Sequence, residues 1–128
     1  MYKVLLVEVD ETSNFISRII LKSSGFEFVD EVLNGLEACR YIEKECPDLI
    51  FLDINMPIMD GWEFLNEMKS NISCKMTKVV ILTSSTRPYD QKMAENYPNV
   101  VAFLEKPLTD EKIAKLKQKL SKGMPLSI

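Results

Sequence analysis

Leu49-Ile50-Phe51-Leu52-Asp53-Ile54-Asn55-Met56-Pro57-Ile58-Met59-Asp60-Gly61 decides the fold. Four apolar residues run into a lone carboxylate, and turn-forming residues follow at once. A short apolar run closed by turn residues reads as a buried parallel strand. Asp53 then sits at the carboxyl end of that strand, where open α/β sheets gather ligands and chemistry. Desolvating a carboxylate is costly, so a charge at the tip of a buried strand calls for a partner.

Outward from this strand the chain alternates strand and helix. Val4-Leu5-Leu6-Val7 is a continuous apolar run, the pattern of a central parallel strand, and it ends in Glu8-Val9-Asp10-Glu11. Thr12 or Ser13 is expected to cap a first helix whose apolar positions are Phe15, Ile16, Ile19 and Ile20, with Gly25 as its C-terminal glycine. A charged strand over residues 27–32 belongs near a sheet edge. A second helix follows Asn34-Gly35, with Leu36, Cys39, Tyr41 and Ile42 on its core side, before Pro47. After the Asp53 strand, a helix starts at Gly61. Strands over 79–82 and 100–104 are separated by a weaker helix over 89–96. A last helix spans 110–121, with Ile113, Leu116 and Leu120 on one face and many lysines on the other. Five β-α units imply a parallel sheet covered on both faces. Residues 1–121 read as one domain and 122–128 as a frayed tail.

Composition narrows the classes. A chain of 128 residues with 46% hydrophobic and 27% charged residues suits one globular domain. A net charge of -3 gives no general attraction to nucleic acid or anionic membrane. No apolar stretch approaches the roughly 20 residues of a spanning helix, and no secretory signal pattern opens the chain. The absence of histidine excludes His-based catalysis and His metal ligation. Cys39, Cys46 and Cys74 are odd in number and widely spaced, so buried free thiols and a reducing cytoplasm are expected.

The strand ends carry the chemistry. Glu8 and Asp10 follow the first strand, Asp53 ends the third, Thr83 the fourth, and Lys106 follows the fifth. All lie on one edge of a parallel sheet. Carboxylates, a hydroxyl and an ammonium suit a phosphoryl group. Asp53 would be the nucleophile that forms an acyl phosphate. Thr83 and Lys106 would hold the phosphoryl oxygens, and the acidic cluster would hold Mg²⁺. The remaining motifs have plainer readings: Asp60-Gly61 a turn and helix start, Trp62 and the methionines packing.

Leu6-Val7-Glu8, Asp53-Ile54-Asn55-Met56-Pro57 with Asp60-Gly61, Leu82-Thr83-Ser84 and Lys106-Pro107 together resemble the receiver domain of bacterial two-component response regulators. The likeness covers nearly the whole chain. It implies a flavodoxin-like fold of strand order 2-1-3-4-5. It implies that Asp53 takes a phosphoryl group from a phosphohistidine on a sensor histidine kinase or histidine phosphotransfer protein. It further implies a cis Lys106-Pro107 bond, a metal-binding carbonyl at Asn55, and a switch formed by Thr83 and Phe103. The output face would be the fourth helix, fifth strand and fifth helix, meeting a downstream protein partner. No enzymatic turnover is implied beyond self-phosphorylation and self-dephosphorylation.

One position departs from the family pattern. The second of two adjacent acids after the first strand is replaced by Val9, which cannot ligate a metal. The metal set is then Glu8, Asp53 and the Asn55 carbonyl, with weakened Mg²⁺ affinity. That departure keeps a second reading open, a receiver-like binding module that signals without phosphorylation. A phosphatase with an Asp-x-Asp nucleophile motif fits poorly, because Asn55 stands at its second acid. Flavin binding also fits poorly, since the turn after the first strand is acidic.

Overall fold

A computed structural model describes residues 2–123. Five strands, β1 (Lys3–Val7), β2 (Phe28–Val32), β3 (Leu49–Leu52), β4 (Lys78–Thr83) and β5 (Val100–Glu105), alternate with five helices. These are α1 (Glu11–Ser23), α2 (Gly35–Lys44), α3 (Gly61–Met68), α4 (Pro88–Ala94) and α5 (Asp110–Gly123). The sheet is wholly parallel in the order β2-β1-β3-β4-β5, the expected flavodoxin-like receiver fold. The helix α5 runs to Gly123, two residues past the helix end expected at Ser121. Residues 124–128 lie outside the described residues.

Strand alternation sorts the core into two layers. Val4, Leu6, Phe51, Val80 and Leu82 point to the side covered by α1 and α5, where Leu21, Ile113, Leu116 and Leu120 meet them. Leu5, Val7, Ile50, Leu52 and Val79 point to the other side, against Ala38 and Ile42 of α2 and Phe64, Leu65 and Met68 of α3. Ile54, Ile81 and Ala94 form a smaller cluster under α4, with Trp62 and Phe103 packed against it.

Local signals explain the element ends. Asp10, not Thr12 or Ser13, caps α1, accepting from the Thr12 amide at 3.2 Å. It wins because its short carboxylate stands one residue before the first turn, where free amides need an acceptor, whereas Thr12 and Ser13 already lie inside the helix. Gly25, at φ 100°, closes α1 with the Phe26 amide on the Leu21 carbonyl and the Gly25 amide on the Lys22 carbonyl. The helix α3 opens with a reciprocal capping box between Asp60 and Glu63.

Two expectations are corrected. Of the apolar positions expected to face the core from α1, only Ile20 packs against it, and it is half-buried. Phe15, Ile16 and Ile19 are 64%, 40% and 50% exposed, while Asn14, Ser17 and Leu21 are buried. Polar anchors set that rotation. Asn14 donates to the Glu8 carbonyl at 3.0 Å, and Arg18 reaches the Val29 carbonyl and Glu31 on β2. The cysteines also differ from expectation, because Cys46 and Cys74 form a disulfide and only Cys39 is free. Cys46 follows α2 and Cys74 lies in a short 3₁₀ turn, Ile72–Cys74, before β4. β3 and β4 are neighbours, so the two segments leading into them meet at the amino rim of the sheet, with Cα atoms 5.3 Å apart. The bridge removes the inference from free thiols to a reducing compartment.

Candidate functional site

The site occupies the carboxyl rim. Asp53 follows β3 directly, and its amide donates to the Val7 carbonyl at 3.1 Å, fixing it beside the end of β1. It is 6% exposed. One carboxylate oxygen accepts from the Lys106 ammonium at 3.1 Å, and the other from the Asn55 amide at 3.2 Å. Glu8, 7% exposed, pairs with the same ammonium, and its second oxygen accepts from the Asp10 amide at 3.0 Å. Lys106 therefore bridges the acids of two strands. The partner that Asp53 demanded is this lysine.

Burial pushes the Glu8 carboxyl above its ordinary range, and the like charge of Asp53 adds to this; the Lys106 and Asp10 hydrogen bonds act the other way. Burial alone would lower the Lys106 ammonium. The Glu8 hydrogen bond and the Asp53 charge together outweigh it, so the ammonium is held above its ordinary value.

Backbone contacts set the frame. The Lys106 amide donates to the Thr83 carbonyl at 2.9 Å, and Thr83 pairs with Glu105 in the β4–β5 register. The Lys106-Pro107 bond is cis, as the resemblance implied. Thr83 is fully buried, and its hydroxyl oxygen accepts from the Ser85 amide at 3.2 Å. Gly61 donates its amide to the Ile54 carbonyl at 3.2 Å. A Cβ there would come within 2.7 Å of the Asp53 carbonyl and of the Ile54 Cα, so α3 starts directly against the acceptor's backbone. The sequence shows Gly61 as a helix start but gives no sign of this close approach.

The remaining positions are distributed unevenly. Val9 is 43% exposed and contributes no donor. Asp10 does not replace it, since its carboxylate is spent on Thr12 and Ser13. Asn55 lies on the exposed loop after Asp53. Phe103 is half-buried on β5 against the Ile54–Ile81–Ala94 cluster. Among the described residues no three acids, cysteines or histidines converge as a metal cluster. The donor set meets a divalent cation only in part: two carboxylates, both already engaged by Lys106, and a main-chain carbonyl.

A family description, response regulator receiver domain, matches residues 4–118. The chain belongs to that family. Among curated receiver proteins, the chemotaxis protein CheY of Listeria monocytogenes is 32% identical over 123 residues, covering 95% of this chain and all of that one. A two-component response regulator of Cytophaga hutchinsonii superposes with a TM-score of 0.86 at 29% identity, covering 95% of this chain and 98% of that one. The receiver domain of a sensor histidine kinase from Pseudomonas aeruginosa, solved with magnesium in its active-site cleft, shares the fold at 24% identity and a TM-score of 0.78, covering 94% of this chain and 95% of that one. The chain spans about half or less of the length of several other curated relatives. No helix among the described residues is long and apolar enough to cross a membrane.

Proposed function

We propose that this receiver domain is a phospho-accepting switch of two-component signalling. An Asp53 carboxylate oxygen attacks the phosphorus of a phosphohistidine on a sensor kinase or histidine phosphotransfer protein. The P–N bond breaks, and the departing imidazole keeps the electron pair. The product is an aspartyl phosphate, later cleaved by water to inorganic phosphate. Lys106 neutralises the phosphoryl oxygens, and Thr83 donates its hydroxyl to one of them. The observation that carries this reading is the Lys106 ammonium 3.1 Å from a nearly buried Asp53 at the sheet's carboxyl rim.

Exposed Val9, Phe15, Ile16 and Ile19 support docking of an apolar donor surface beside the site. Ile16 shares a small cleft with Lys106 and Pro107, so this patch adjoins the reacting groups. Phosphorylation then favours a state in which Thr83 and Phe103 shift, and a downstream protein binds α4, β5 and α5. To move such an equilibrium from 1:99 to 99:1 takes about 5.5 kcal/mol of differential stabilisation. The reading has the chain act in the cytoplasm through protein partners, with no direct binding of nucleic acid.

Glu8, Asp53 and the Asn55 carbonyl would hold Mg²⁺ weakly, one acid short. When bound, the ion adds positive charge near the phosphoryl oxygens. The missing acid also favours the second reading, a binding module that works without phosphorylation. Acetyl phosphate or a phosphohistidine donor, with and without Mg²⁺, separates the two by intact mass. One added phosphoryl group, lost in Asp53→Asn, supports the switch. No adduct from any donor leaves the binding module.

A further inference from the structure

The segment joining β4 to α4 carries a buried charge that the proposed chemistry does not use. Asp90 is fully buried in the first turn of α4. Arg87 grips it twice, Nε to one carboxylate oxygen at 3.0 Å and Nη2 to the other at 3.1 Å. The Ser85 hydroxyl donates to the same carboxylate, and the Arg87 amide donates to the Ser85 oxygen at 3.3 Å. Arg87 holds the Asp90 carboxyl below its ordinary range against the opposing effect of burial; Ser85 and, to a smaller extent, the Trp62 indole assist.

This network ends on the Thr83 hydroxyl. The Ser85 amide occupies one lone pair of that oxygen at 3.2 Å. A hydroxyl has one proton to donate and two lone pairs to accept with. An oxygen already accepting from the loop keeps its proton free to donate in another direction. The Ser85 hydroxyl in turn donates to Asp90, so the residue that carries this amide is held by its side chain as well. Asp90 is fixed in turn by a two-pronged guanidinium.

We infer that Asp90, clamped by Arg87 and acting through Ser85, is a positioning residue that aims the Thr83 hydroxyl proton at the phosphoryl group on Asp53. The clamp rests on the phospho-acceptor reading only for its consequence, not for its existence. It touches neither Asp53 nor Lys106 among the hydrogen bonds described. Its effect must therefore run through Thr83. An aspartate in this place that only stabilised α4 would act independently of Thr83.

The test has two arms on the full chain. In the unphosphorylated protein, amide hydrogen exchange at Ser85 and Arg87 should quicken about tenfold or more in Asp90→Asn, with β4 unchanged. Unchanged exchange overturns the clamp. In the second arm, phosphoryl uptake from acetyl phosphate is compared across Asp90→Asn, Thr83→Ala and the double variant. Asp90→Asn should slow uptake about five- to tenfold in the wild-type background and have almost no effect once Thr83 is alanine. Equal effects in both backgrounds overturn the positioning role. Ser85→Ala, which leaves the Arg87–Asp90 pair intact, should reproduce the loss if Asp90→Asn folds poorly; full uptake in Ser85→Ala overturns the inference. Absence of any adduct on the wild type overturns the proposed function and with it the positioning role, while the exchange arm still decides the clamp.

Discussion

The two rims of the sheet are held together by opposite means. At the carboxyl rim, Glu8, Asp53 and Lys106 are gathered by charge, and each follows directly on the end of β1, β3 or β5. At the amino rim, Cys46 and Cys74 are joined by a covalent bond between the segments that enter β3 and β4. An ionic cluster can be rearranged by a new charge, and a covalent cross-link cannot. The molecule thus concentrates its adaptability at one end and its stiffening at the other. The core between them, Leu5, Ile50, Leu52, Val79 and Ile81, is fully buried.

The sharpest break of that comparison is Asp53→Asn. It should abolish the acyl phosphate outright while leaving the disulfide and the fold in place, read by intact mass and circular dichroism. The converse is Cys46→Ser, or addition of a thiol reductant. With the bridged cysteines 28 positions apart in the chain, loss of the cross-link should lower unfolding free energy by about 3.5 kcal/mol in urea melts. Phosphoryl uptake should stay within about twofold of wild type if the rims act independently. A larger fall would mean that the amino rim sets the geometry of the site.

Lys106→Met comes next. It removes the bridge between two carboxylates, and uptake should fall about 10²-fold, as for loss of one charge-stabilising donor. Val9→Asp restores a third acid to the carboxyl rim and should tighten Mg²⁺ about tenfold by calorimetric titration, each tenfold being about 1.4 kcal/mol. Equal affinities would show that Val9 is not what limits the metal.

The smallest effect is a matter of pH. Because Glu8 titrates above its ordinary value in the folded chain, the folded state binds its proton more tightly than the unfolded state does. Its contribution to stability therefore declines as pH rises from the unfolded value, 4.5, through the raised folded value. Glu8→Gln cannot ionise. Its stability relative to wild type should increase as pH rises above 4.5 and then level off, measured by denaturant melts from the acid to the neutral range.

The same contrast explains what could be read from the chain before its structure. The carboxyl rim was legible because three buried runs, Val4–Val7, Leu49–Leu52 and Val79–Leu82, each stop at a polar residue. A parallel sheet places such stops side by side. The amino rim offered no comparable sign. Cys46 and Cys74 have no motif spacing, and pairing cannot be deduced from cysteine positions alone. The packed face of α1 was misleading for another reason. Hydrophobic periodicity assumes that apolar residues turn inward, yet Asn14 and Arg18 anchor the helix through polar contacts and leave Phe15, Ile16 and Ile19 outside. In α2 the small Ala38 lies fully buried, while Leu36, Cys39 and Tyr41 are only half-buried. Close approach favoured the smaller side chain, which a scan for large apolar residues passes over.

Gly61 has a consequence for anyone who surveys this protein by exhaustive substitution. A Cβ there would collide with main-chain atoms of Asp53 and Ile54, which no rotamer change can relieve. Position 61 should tolerate replacement as badly as position 53 in any screen scored by signalling output, although glycine brings no reactive group. Scored instead by protein abundance, the two should part company: Asp53→Asn accumulates normally, and Gly61 variants do not.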